Sequence, residues 1–303
     1  MEESSDGYQV TSYRWVVLFF FFNTTVYVSC CQTSLTPVAA PLAKAFGVPV
    51  LDVTMTSIIF SITYIPMTFV AIWMFKVLRP STCFRIACAN LLIGSWIRSF
   101  SADTEQFGMI LVGYTIISLS YPILLAAVTL VCNTWLGDHE RTFWTQICGL
   151  SIPIGTVISF LMTGLIYSDE FTMRKDTRRL ILFQNVWATL VAVPFFLLVR
   201  DKPTEPPSSI AAEKQKRARL IPAFRRALKD KNYVYLLIIF ALVDGEFISF
   251  SSVMSLLFDY YKVPPVPPST TPTPYYSSSL ISLYGGSTAI FGVLASIVAG
   301  RML

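Results

Sequence analysis

The chain has 303 residues, of which 54% are apolar and 14% charged, with a formal net charge of +5. Its mean hydropathy is +0.59. Soluble domains carry about a quarter charged residues, so this composition excludes an ordinary cytosolic enzyme, a disordered chain and a nucleic-acid-binding domain built on a basic surface.

In chain order, apolar runs occupy about 15–34, 53–75, 84–100, 107–131, 143–167, 180–199, 233–258 and 279–299. None alternates as a barrel strand would, and each is long enough for a helix across a bilayer core of about 30 Å. The expectation is an all-α polytopic membrane protein with eight spans. The first run follows Glu2, Glu3 and Asp6 rather than a basic stretch, so it reads as a retained helix and not a cleaved leader. Helix 1 carries a polar stripe of Asn23, Tyr27, Cys30 or Cys31 and Ser34, with Gln32 nearby, and is expected to end at Pro37 and Pro41. Such a stripe faces protein or water rather than lipid, either binding solute or joining helices. The sequon Asn23-Thr24-Thr25 lies inside this helix and is not expected to carry a glycan.

On helix 4, Tyr114, Ser118 and Tyr121 are expected to serve packing. Gly137-Asp138-His139-Glu140-Arg141 reads as a short cytoplasmic loop containing the lone histidine. Helix 5 offers Gln146, Gly149, Pro153, Thr156, Ser159 and Thr163, with Gln146 able to reach a central cavity. Gln184 and Asn185 are expected to open helix 6 near the interface. Mid-helix 7, Asp244 and Glu246 are costly in a bilayer, at about 2.5–3.5 kcal/mol each, and therefore mark function. Residues two apart on a helix point about 200° apart. One is expected to line the cavity as a proton or cation site and the other to pair with a neighbouring helix, unless Gly245 breaks the helix.

Basic residues set orientation. The segment 200–231 holds ten basic residues against four acidic ones and is expected in the cytoplasm, which puts the N-terminus there too. Lys76, Arg79 and Arg85 agree. Arg174, Lys175, Arg178 and Arg179 disagree, being offset only partly by Asp169, Glu170 and Asp176. Within the linker, Leu220, Phe224 and Leu228 recur every four residues among arginines and lysines, a stretch suited to the headgroup surface. The segment from Val263 to Pro274 is proline-rich and expected to be extended. The six cysteines lie in apolar runs, so no disulfide framework is indicated. With one histidine and no phosphate-binding loop, no metal, cofactor, ATP-driven step or catalytic constellation is expected.

Six helices, a basic linker and further helices resemble the layout of the major facilitator superfamily. Residues 1–199 are then the N-terminal half, 200–232 the linker and 233–303 the start of the C-terminal half. This gives about eight helices of an expected twelve and the expectation of a fragmentary product. Several segments resemble the feline leukaemia virus subgroup C receptor family in order and spacing. These are Tyr13-Arg14-Trp15, Phe46-Gly47-Val48, Tyr64-Ile65-Pro66 with Trp73, Gly94-Ser95-Trp96-Ile97-Arg98, Trp135-Leu136-Gly137 with Gly155-Thr156, Arg200-Asp201-Lys202-Pro203 with Pro206-Pro207-Ser208, and Gly292 to Gly300. The resemblance implies a secondary active or facilitative transporter of a small organic solute, such as haem or another porphyrin, a choline-like cation or another metabolite. It would work by alternating access with proton coupling at Asp244 or Glu246. The departures are Gln32 and Ile248, where choline-handling members place cage aromatics, Pro153 where they place glutamine, and Lys76 at the acidic loop position.

The candidate solute residues are thus Asn23, Gln32, Gln146, Thr156, Asp244, Glu246 and Phe247. The partners implied are a small molecule and membrane lipid, not nucleic acid, and the location is the plasma membrane or an internal membrane. The alternative reading is a non-transporting receptor or scaffold derived from a transporter.

Overall fold

The computed structural model describes residues 11–104, 107–167, 172–203, 207, 226–260, 262–263, 273–274 and 278–302. Its helices are α1 (Tyr13–Thr33), α2 (Ala39–Phe46), α3 (Val50–Val77), α4 (Pro80–Thr104), α5 (Phe107–Ser118), α6 (Tyr121–Trp135), α7 (Asp138–Gly149), α8 (Ser151–Ile166), α9 (Met173–Leu198), α10 (Lys231–Tyr260) and α11 (Ser278–Met302). All eight expected runs are helical. Among the described residues, six helical stretches are long and apolar enough to cross a membrane: Tyr13–Phe46, Val50–Val77, Phe107–Trp135, Asp138–Ile166, Met173–Leu198 and Lys231–Met254. Helix α4 differs because Arg85, Asn90, Ser95 and Arg98 dilute its apolar surface. In α11 the described apolar stretch is Leu280–Leu294.

Several boundaries differ from the sequence reading. Pro37 and Pro41 do not end the first span. A 3₁₀ turn, Thr36–Val38, accommodates Pro37 at its start, where a missing donor costs nothing, and the chain continues as α2. The stop comes at Gly47, whose φ of +68° is the left-handed cap conformation and whose N–H returns to Lys44. His139 lies in the first turn of α7 rather than in a loop, because Gly137 caps a helix whose acidic Asp138 and Glu140 suit the N-terminal dipole. Gln184 and Asn185 sit mid-α9 and are buried, not interfacial, because α9 begins at Met173, well before the first apolar residues.

The main core cluster runs through α1 to α9, and a smaller one joins Phe160 of α8, Met254 of α10 and Ile281 of α11. Helix α4 packs on α5 and α9, α1 on α8 and α9, and α11 on α8. Two crossings are so close that only glycine fits. A Cβ on Gly94 would lie 2.6 Å from the Gly113 carbonyl oxygen, and one on Gly155 would lie 2.5 Å from that of Val26. Small residues permit such backbone approach between membrane helices. Helix α10 is different: it touches the rest through a few contacts and leaves most of its apolar face exposed. Lys262–Val263 and Thr273–Pro274 form a short antiparallel pair.

The basic cluster after helix 5 has a structural use. Arg174 Nε donates to the Ala45 carbonyl at 2.8 Å, satisfying the end of α2, and its guanidinium lies 5.5 Å from the Phe46 ring centroid. Arg179 pairs with buried Asp176 at 3.1 Å. Asp169 and Glu170, the stretch at Leu220 and Phe224, and residues 264–272 of the proline-rich segment lie outside the described residues.

Candidate functional site

The polar stripe of α1 resolves into a buried network centred on Arg98 of α4, which is fully buried. Its guanidinium donates through Nη2 to Tyr27 Oη at 3.2 Å and through Nη1 to Cys31 Sγ at 3.7 Å. It also lies 4.7 Å from the Tyr114 ring centroid. Tyr27 Oη and Ser95 Oγ are 2.5 Å apart, and Ser34 Oγ and Tyr114 Oη are 2.8 Å apart. Thr163 of α8 donates to the Ser34 carbonyl at 2.8 Å, and Tyr27 stacks edge-on against Trp187 of α9. Three of the stripe residues therefore join helices. Asn23, the fourth, donates to Phe19 of its own helix. No carboxylate among the described residues pairs with Arg98. The missed signal was a charged residue inside a span, whose cost demands a reason.

The other expected site residues separate into groups. Gln32 and Thr156 are buried on α1 and α8, and Gln146 is exposed on α7. Asp244 and Glu246 are exposed on α10, which runs unbroken through Gly245, and Phe247 is half-buried beside them. Among the described residues, no hydrogen bond or ion pair joins any two of these seven.

Asp244 lies within electrostatic range of two tyrosines of the N-terminal helices, Tyr64 of α3 and Tyr121 of α6. The Tyr64 and Tyr121 rings are 5.8 Å apart, and Phe60 lies 6.1 Å from Tyr121. The same side of α10 reaches α3 again at Ser252, whose Oγ is 3.0 Å from Ser57 Oγ. A carboxylate in the neighbourhood of aromatic rings can offer a cation both a counter-charge and a ring face. Sequence reading assigned Tyr121 to packing. Nothing in helix periodicity says which tyrosine a carboxylate 123 positions further along will meet.

A bundle of long apolar helices crossing at small residues, with the seventh rod touching the second, defines a polytopic helical membrane protein. The Major Facilitator Superfamily profile matches residues 16–303, and the chain belongs to that superfamily. It is 23% identical, over 69% of its length and 40% of the relative's, to the choline/ethanolamine transporter FLVCR2 of Rattus norvegicus. It is 24% identical, over 92% of its length and 48% of the relative's, to an uncharacterized MFS-type transporter of Caenorhabditis elegans. The chain thus spans about half the length of these relatives. Among solved structures, a bacterial homolog of the human lysosomal transporter Spinster, inward-facing and unoccupied, aligns with a TM-score of 0.65 at 16% identity. That match covers 93% of this chain and 60% of the other.

Proposed function

We propose that the chain works in secondary transport, moving a small organic cation by alternating access. Residues 1–199 act as the N-terminal half and residues 233–303 supply the first helices of the second half. The observation that carries this reading is Asp244 of α10 within electrostatic range of Tyr64 and Tyr121, whose ring centroids are 5.8 Å apart. A carboxylate gives the charge complement, the ring faces give the apolar and quadrupolar surface, and the two come from parts of the bundle that alternating access moves relative to each other. The relatives named as choline/ethanolamine transporters support the same solute class. Gln32 and Ile248 replace two aromatic positions of the choline-handling pattern, so the cation is held here by a different set of rings.

The basic linker puts the N-terminus in the cytoplasm. The Arg174 cap and the Arg179–Asp176 pair give the discordant outer charges a role in holding the fold.

The test is flux of radiolabelled ethanolamine and choline into sealed vesicles holding the chain. Saturable uptake above an Asp244→Asn and Tyr121→Leu double variant supports the proposal. Binding without flux would instead identify a receptor or scaffold, and neither binding nor flux of any cation would end the cation reading.

A further inference from the structure

The turn between α3 and α4 and the start of the linker lie together, because two contacts clamp them. The Ser81 backbone N–H donates to Asp201 Oδ1 at 2.9 Å, and Arg85 Nε donates to the Phe196 carbonyl at 3.3 Å. Between them, residues 76–85 and 196–203 hold five cations, Lys76, Arg79, Arg85, Arg200 and Lys202, and a single acidic residue, Asp201. That carboxylate is turned inward onto the first turn of α4, where a negative charge meets unsatisfied amides.

The cations are all exposed. Lys76, Arg79 and Lys202 make no hydrogen bond or ion pair among the described residues. Arg200 stacks on Tyr13, its guanidinium 4.6 Å from the ring centroid. With five cations to one carboxylate among the described residues, a patch of this density carries a positive potential. Its depth is marked independently: Trp73, 58% exposed, lies one turn before Lys76, and an exposed tryptophan at a span end sits at headgroup level.

We propose that this patch is a binding surface for the headgroup of an anionic phospholipid in the leaflet that meets this end of the bundle. The phosphate is held by Lys76, Arg79 and Lys202, with Trp73 anchoring the depth. Polybasic juxtamembrane segments gain about 1 kcal/mol per cation from an anionic surface, which is about fivefold in affinity each.

The experiment places the whole chain in phosphatidylcholine nanodiscs doped with fluorescent phosphatidylinositol bisphosphate and measures energy transfer from the protein to the lipid. Both faces of a nanodisc carry the same lipid, so the readout depends neither on orientation nor on transport. The Lys76→Ala, Arg79→Ala, Lys202→Ala triple variant is expected to weaken lipid association about 100-fold. A Lys44→Ala, Lys175→Ala control at the opposite end is expected to stay within about twofold of wild type. Three results would overturn the proposal: a triple variant that associates as wild type does, a control that loses as much as the triple variant, or soluble inositol trisphosphate binding as tightly as the lipid. The last would identify a free-phosphate site rather than a membrane contact.

Discussion

Arg98 donates to the hydroxyl of Tyr27 at 3.2 Å and pairs with no carboxylate among the described residues, so its positive charge is held among a phenol, a thiol and the face of Tyr114. Removing the charge from water is costly, and neutral partners recover only part of that cost. What the arrangement does achieve is connectivity. Through Tyr27, Ser95, Cys31, Tyr114 and Ser34 one side chain fastens α1, α4 and α5, with α8 and α9 held at the edges.

Arg98→Ala leaves Tyr27 with Ser95 and Tyr114 with Ser34 but removes the guanidinium that links them, and opens a void. A loss of about 2–4 kcal/mol is expected, read as a fall in the unfolding midpoint of the purified chain in detergent. Arg98→Lys is expected to recover less than half of that, because an ammonium cannot fork to Tyr27 and Cys31 while lying flat on Tyr114. An alanine variant as stable as wild type would show that the network is incidental.

Gly155→Val drives side-chain carbon into the Val26 carbonyl, where even a Cβ has only 2.5 Å. The α1–α8 crossing must widen, at a cost of about 1–3 kcal/mol. Gly149, which has open space around its Cβ direction, serves as the control: Gly149→Ala is expected to be neutral or slightly stabilising through helix propensity. Equal midpoints for Gly155→Val and wild type would contradict the close crossing.

If Asp244 carries the proton or cation step, Asp244→Asn abolishes the pH dependence of uptake while Glu246→Gln leaves it in place, since the two side chains project about 200° apart on an unbroken α10. Uptake followed from pH 5.5 to 8 in both variants decides the matter. An unchanged profile in both would remove proton coupling from this helix.

Tyr121→Leu keeps an apolar side chain, smaller than the phenol, and takes away the ring face. A desolvated cation–π contact is worth about 2 kcal/mol, so the expected effect is a rise of about 30-fold in KM for a cationic solute with little change in the maximal rate. Tyr121→Phe, which keeps the ring, is expected to stay near wild type. A leucine variant with wild-type KM would place the solute elsewhere.

The rods were legible in the sequence because each is an apolar run long enough to span a bilayer. The failures fall where hydropathy has no power. In a water-soluble bundle the buried stripe is more apolar than the exposed one, but lipid is as apolar as a core, so both faces of α9 or α1 read alike. Gln184 and Asn185 were for that reason placed at the interface, although both are mid-helix, buried and without partners among the described residues. The α1 stripe is visible in the sequence but its partner Arg98 is not, since Tyr27 and Cys31 lie 71 and 67 positions before it and its long side chain reaches them only in the assembled bundle.

The sequence by itself determined the solvent, the helical class, the rods and their order, because bilayer thickness and backbone hydrogen bonding leave a long apolar run no other form. Only the tertiary structure decided which residues on those rods meet. It joined the polar face of α1 to Arg98 in a buried network, brought Asp244 within electrostatic range of Tyr64 and Tyr121, and turned Asp201 onto the first turn of α4 while the cations around it stay exposed. These are outcomes of helix rotation and crossing, fixed by contacts such as Gly155 on Val26 that no periodicity along one chain encodes.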